Sequence, residues 1–178
     1  MSLLTVVVAA NCCIEAQAFG WHYGVGFVKL NNVTVWEASH RGPAPERRGV
    51  NILLVEPFNC SLLESRHFDT YEYRAAATEL STYLQQVRHG DFIVGVTADE
   101  PTSSLASALP ALQQLGVDVL DVRYRGSFVF VAQKGFPAKT EIRKTLNEQE
   151  SKRNQPCLSA SIAGTNSING QSSTVCSN

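Results

Sequence analysis

The apolar positions of this chain change period several times, and each change predicts an element. Gly26-Phe27-Val28-Lys29-Leu30 and Val33-Thr34-Val35-Trp36-Glu37 flank Asn31-Asn32. Asparagine tolerates positive φ, so this pattern predicts a hairpin with a two-residue turn. Ser39 to Arg48 collects prolines and arginines and reads as a loop. Val50 to Val55 is a nearly continuous apolar run with β-branched members, the pattern of a strand buried on both faces. Pro57 ends it, and Leu62 to Phe68 returns as its partner, with Cys60 in the connecting turn. From Tyr73 to Arg88 the period lengthens, and Ala76, Leu80, Leu84 and Val87 fall on one face of a helix. Asp69 and Thr70 precede it as candidate caps, and Gly90 follows it, with Arg88 and His89 suited to its negative end.

Phe92 to Thr97 predicts another strand, and Asp99 to Ser104 a loop. Leu105, Leu109, Leu112 and Leu115 mark a second helix closed by Gly116, in which Pro110 predicts a kink or a late start. Val117 to Tyr124 and Phe128 to Gln133 read as two more strands around Arg125-Gly126-Ser127. Residues 147–178 are rich in Ser, Asn, Thr and Gln and poor in large apolar groups. Such a segment cannot offset its ordering entropy, and the expectation is a disordered tail.

At the other end, the apolar run Leu3 to Ala10 leads to Ala16-Gln17-Ala18, a small-x-small pattern that fits a signal-peptidase site. It predicts a leader over 1–18, a folded domain over 19–146 and a mature N-terminus at Phe19. Against it stand Glu15 and the lack of Lys or Arg before the run; the alternative is a truncated first strand. Sequons at Asn32 and Asn59, both in predicted turns, add candidate N-glycosylation sites and favour export. With Cys12 and Cys13 in the leader, Cys60, Cys157 and Cys176 remain, an odd count that makes no disulfide framework.

Composition narrows the function classes. The 178 residues fit one domain with tails, and a formal charge of −1 supplies no basic field for nucleic acid or an anionic membrane. No run approaches the roughly 20 apolar residues of a membrane span. No C-x-x-C, H-E-x-x-H, P-loop or nucleophile elbow appears, so neither a metal nor a cofactor is expected. Gly24-Val25-Gly26 begins like a dinucleotide fingerprint, but Lys29 stands where the third glycine belongs. Asp99-Glu100 could serve as acids, but neighbours in sequence usually point apart and a solvated loop is the better reading.

One constellation remains. Arg48 precedes a buried strand, Asp99 follows another, and Arg125 sits before the last. Strand ends on a rigid scaffold can converge, and Tyr124, Phe128 and Leu63 offer apolar neighbours. Two guanidinium forks, a carboxylate and an apolar plate suit sugar hydroxyls and an N-acetyl group. Taken alone, the same three charges better describe a structural ion pair with a spare arginine.

Arg-Gly-Val-Asn-Ile (48–52), Phe-Asp-Thr-Tyr (68–71), Thr-Ala-Asp-Glu (97–100), Leu-Gly (115–116) and Arg-Gly-Ser-Phe-Val-Phe-Val-Ala-Gln-Lys-Gly (125–135) follow one another in an order that resembles the ILEI/PANDER domain family. The likeness covers roughly residues 25–136. It looks closest to the version of the domain in the stem of protein O-linked-mannose N-acetylglucosaminyltransferase. The resemblance implies an α/β (α+β) domain with two small, mostly antiparallel sheets and flanking helices. It implies a non-catalytic, lectin-like role toward β-linked N-acetylglucosamine on a glycan or glycoprotein, with Arg48, Asp99 and Arg125 as polar contacts and Leu63 and Tyr124 beside them. The other function it implies is a cytokine-like ligand acting on a cell-surface receptor. Either role places the protein outside the cell or in the Golgi lumen. Where the family carries Arg-Asp-Ser/Thr-Trp, this chain has Arg125-Gly126-Ser127-Phe128, which removes an expected partner of the arginine.

Overall fold

Asn31 and Asn32 adopt φ values of 49° and 65° and close the turn between β2 (Val25–Leu30) and β3 (Val33–Ser39). This positive-φ pair matches the right-handed twist of the flanking strands. The computed structural model describes residues 12–20, 24–39, 47–163 and 167–170. Before the hairpin, β1 (Cys12–Gln17) pairs antiparallel with β2 on one side. On its other side it pairs with β9 (Cys157–Ala163), which in turn pairs with β10 (Ser167–Gly170). The first sheet therefore runs β10-β9-β1-β2-β3.

The second sheet is built on β4 (Gly49–Val55), β6 (Phe92–Ala98) and β7 (Ser127–Gln133), each buried along its whole length. Unbroken apolar runs need cover on both faces, and they have it. One face meets the first sheet, where Leu53, Val94, Val96 and Val129 pack with Ile14, Val28 and Leu158. The other carries Ile52, Ile93, Phe128 and Phe130 against α1 (Arg74–Gln86) and α2 (Leu109–Gln114). The edges are β5 (Leu62–Phe68) and β8 (Glu141–Thr145), and the order is β5-β4-β6-β7-β8. All the pairings are antiparallel, so the two-sheet α+β architecture is as expected. Gly95 on β6 stands opposite Phe130, and a Cβ there would lie 2.0 Å from its ring; glycine is what lets the ring lie across the strand.

Several expectations need correction. Residues 12–17, expected within a leader, form β1 in the structure. Cys12, Ile14 and Ala16 are fully buried, and Cys12 is disulfide-bonded to Cys60 in the β4–β5 turn. Ala16 and Ala18, the small residues that mimic a cleavage site, are fully buried; the Leu3–Ala10 run lies outside the described residues. The 147–178 segment is not a uniformly disordered tail. It supplies α3 (Glu148–Arg153), whose Asn147 cap accepts from the backbone N–H groups of Gln149 and Glu150, and then β9 and β10. Leu158, Ala160 and Ile162 alternate inward from a serine-rich stretch, so a period of two was present in small residues. Cys157 is also disulfide-bonded, whereas Cys13 is an exposed free thiol; Cys176 lies outside the described residues.

Val117 to Tyr124 is a turn-rich loop rather than a strand. Val117, Val119 and Val122 are buried, but the Asp118 carboxylate accepts from the Leu120 backbone N–H and curls the chain. The sheet edge beside β7 is occupied by β8, whose polar sequence gave no signal.

Candidate functional site

The strand ends do converge. Gly49 on β4 pairs with Ala98 on β6, which sets Arg48 and Asp99 just beyond the same rung. The Thr97 hydroxyl accepts from the Phe128 backbone N–H at 3.0 Å and ties the start of β7 to the same end. The backbone N–H of Arg125 donates to the Glu100 carboxylate. The other Glu100 oxygen accepts from the Thr102 backbone N–H at 2.6 Å and the Ser103 backbone N–H at 3.0 Å. Glu100 is thus a buried organiser of two loops, 1% exposed, and not a solvated acid. The Thr70 hydroxyl donates to the Pro101 carbonyl at 2.7 Å and brings in the 69–73 loop as well.

Arg48 is committed within this cluster. Its guanidinium grips Asp69 through two bonds of 2.7 and 3.1 Å, lies 3.2 Å from Glu72, and covers the Tyr71 ring at 4.4 Å. The hydrogen bond to Asp69 raises the Arg48 pKa against the cost of burial, and Glu72 and Asp99 push the same way. Burial pushes the Asp69 carboxyl up, but the bonds and charge of Arg48, with the Glu72 and Tyr71 N–H groups, outweigh it and hold it below its ordinary value. Asp69 therefore serves Arg48 and the turn; the cap position of α1 is Tyr73, which has no side-chain cap. Phe68-Asp69-Thr70-Tyr71 is a clamp between strand, loop and helix.

Asp99 holds φ at 57°, unusual for a side-chain-bearing residue, and is 7% exposed. One of its carboxylate oxygens has no hydrogen-bond partner among the described residues. Arg125, with φ at 55°, lies over the Tyr124 ring at 5.3 Å. The family's aspartate at Gly126 would force this loop to shift, because a Cβ would fall 2.7 Å from the Thr145 carbonyl oxygen.

Leu63 does not belong to this site. It stands at the far end of β5, roughly 17 Å from Phe68 at ~3.3 Å per residue. There it lines a cleft of about 370 Å³ with Glu64, Tyr83 and Arg88. A second cleft of about 520 Å³ opens at the same far end, between Phe58, His89 and Phe136. The sequence reading missed Asp69 and Glu72 as partners of Arg48, although their spacing beside a helix start was visible. It also missed the exposure of Tyr71, Tyr73 and Leu120, 38%, 62% and 51%, whereas Tyr124, singled out beside Arg125, is 50% exposed. The sequon residues Asn32 and Asn59 are both exposed.

Residues 48–136 match the sequence profile of the family described as interleukin-like EMT inducer. The chain belongs to that family. Human Protein FAM3B is 29% identical to it over 111 residues, which is 61% of this chain and 47% of that protein. The chain thus spans about half the length of the curated relative it matches. The interleukin-like EMT inducer match starts at Arg48 and ends at Phe136, so every strand of the first sheet, β10-β9-β1-β2-β3, lies outside it. Family membership favours the cytokine-like alternative over the lectin-like reading, and it carries no preference for the transferase stem.

Proposed function

We propose that this protein is an exported, cytokine-like ligand that acts by binding a receptor protein and not by catalysis. The observation that carries it is the loop surface at the Arg48 end. Tyr71, Tyr73 and Tyr124 are exposed there, and Tyr71 and Tyr124 are backed by guanidinium groups. Tyrosine and arginine offer large, stiff, partly polar contact area and are enriched among the residues that dominate protein interfaces. The disulfide-bonded Cys12, Cys60 and Cys157 suit an oxidising compartment. Glycans at Asn32 and Asn59 belong to the same export route. The test is saturable binding of labelled chain to responsive cells. Tyr73→Ala and Tyr124→Ala should each weaken it by about tenfold, the effect of one interface anchor, with unchanged melting. Unaltered affinity in both would reject this surface.

One observation favours a second reading, a glycan-binding site. The buried, unpartnered Asp99 oxygen beside Arg48 is an acceptor for a ligand hydroxyl or N-acetyl N–H. On that reading Asp99→Ala weakens a β-linked N-acetylglucosaminide by roughly 10- to 100-fold. Calorimetry that detects no heat with wild type at millimolar sugar removes this reading and leaves the first intact.

A further inference from the structure

Strand β5 is the outer strand of its sheet, paired with β4 alone among the described residues. Its residues are mostly exposed. An open strand edge presents a row of backbone donors and acceptors to any strand that can lie beside it. What the edge accepts is then decided by its side chains.

Those side chains are self-complementary. Glu64 and Arg66 flank Ser65 and share one face of the strand. When two copies pair antiparallel about a two-fold axis normal to the sheet, faces must match, so only every second register is allowed. Centred on Ser65, Glu64 meets Arg66 of the second copy and Arg66 meets its Glu64. Centred on Glu64 or on Arg66, like charges meet at the axis. Opposite charges directly across a strand pair stabilise it and like charges destabilise it, so the pattern selects one register. The same charges discourage unrelated strands.

The two side chains are also held ready. Arg66 Nε donates to Glu64 at 2.6 Å, the Tyr83 hydroxyl donates to Glu64 at 3.2 Å, and the Arg66 guanidinium lies 4.7 Å from the Tyr83 ring centre. They remain 55% and 40% exposed for Arg66 and Glu64, so both can reach across an added strand. A register shift between Leu54 and Val55 kinks the start of β5 and leaves Glu64 to Phe68 as the regular stretch, which contains the complementary triplet.

We propose that β5 is a homodimer edge, at which two copies of this chain pair antiparallel about Ser65 into one continuous sheet. The test is sedimentation velocity on the full chain at on the order of 100 µM. A Cys13→Ser background removes disulfide cross-linking through the exposed free thiol. The parent should sediment as a two-chain species. Glu64→Arg and Arg66→Glu each turn two attractive cross-strand pairs into two repulsive ones, and each should weaken association by about tenfold or more. An equimolar mixture of the two single variants should recover the dimer, because each supplies the charges that the other lacks. If either single variant fails to fold by circular dichroism, the double exchange Glu64→Arg/Arg66→Glu keeps complementarity and must dimerise like the parent. A parent that stays monomeric, single variants that associate like the parent, or a mixture or double exchange that does not dimerise overturns the proposal.

Discussion

Removing the Cys12–Cys60 disulfide tests whether the N-terminal strand belongs to the folded protein. The bond joins residues separated by 48 positions and links β1 to the turn between β4 and β5, so it staples one sheet to the other. In the chain-entropy model, a loop of that length restricts the unfolded state by about 4 kcal/mol at 25 °C. Engineered bonds often deliver less, but a native bond between residues 0% and 7% exposed sits in a place built around it. The variant is Cys12→Ala/Cys60→Ala, since chemical reduction would also open the bond at Cys157. Urea unfolding should show a loss of about 3–4 kcal/mol, and the melting temperature should fall by about 6–16 °C for a domain of this size. A loss below about 1 kcal/mol, or a wild-type protein exported with Phe19 as its first residue, would refute the account of β1 as a core strand.

Three further outcomes follow from the same structure. Truncation after Leu146 removes β9, whose Leu158 and Ile162 are buried against the second sheet, so cooperative unfolding should be lost or weakened by several kcal/mol; a melt unchanged by the truncation would restore the tail reading. The Asp69 carboxyl is held below its unfolded value, so its ion pair with Arg48 stabilises above about pH 4 and that contribution is lost as pH falls through the lower folded value. Asp69→Asn should cost about 1–3 kcal/mol at neutral pH and flatten stability against pH in that acid window; a parallel acid profile would contradict the assignment. Gly126→Asp, which writes the family residue back, should destabilise by about 1–3 kcal/mol because its Cβ meets the Thr145 and Leu146 carbonyl oxygens; a neutral thermal melt would show that the loop yields.

Legibility in the sequence followed side-chain size and local period. β4, β6 and β7 were visible because strands buried on both faces need unbroken apolar runs. The first hairpin was visible because Asn31 and Asn32 suit its turn. α1 declared itself through a spacing of three and four. β9 was hidden because its inward positions include Ala160 and its outward ones are serines, so composition suggested disorder while the period said strand. β8 was hidden because only Thr145 is fully buried on it. Val117 to Tyr124 misled for the opposite reason: alternating valines enter the core from a curled loop, and alternation alone does not guarantee a partner strand. At the candidate site, strand-end reasoning brought Arg48, Asp99 and Arg125 to one end without any contact information. It misplaced Leu63 because being on a neighbouring strand says nothing about which end. Glu100 was misread because its partners are backbone N–H groups that a sequence does not display, and Asp69 because its pairing with Arg48 spans 21 positions.

The measurement that bears most directly on the proposed function is a competition at the cell surface. Labelled chain is bound to responsive cells, with one sample trimmed by protease and another flooded with a soluble β-linked N-acetylglucosaminide. A protein receptor predicts saturable binding that the protease abolishes and the sugar leaves within about twofold, less than the 1.4 kcal/mol of a tenfold change. Binding that survives protease and is displaced by the sugar would contradict it.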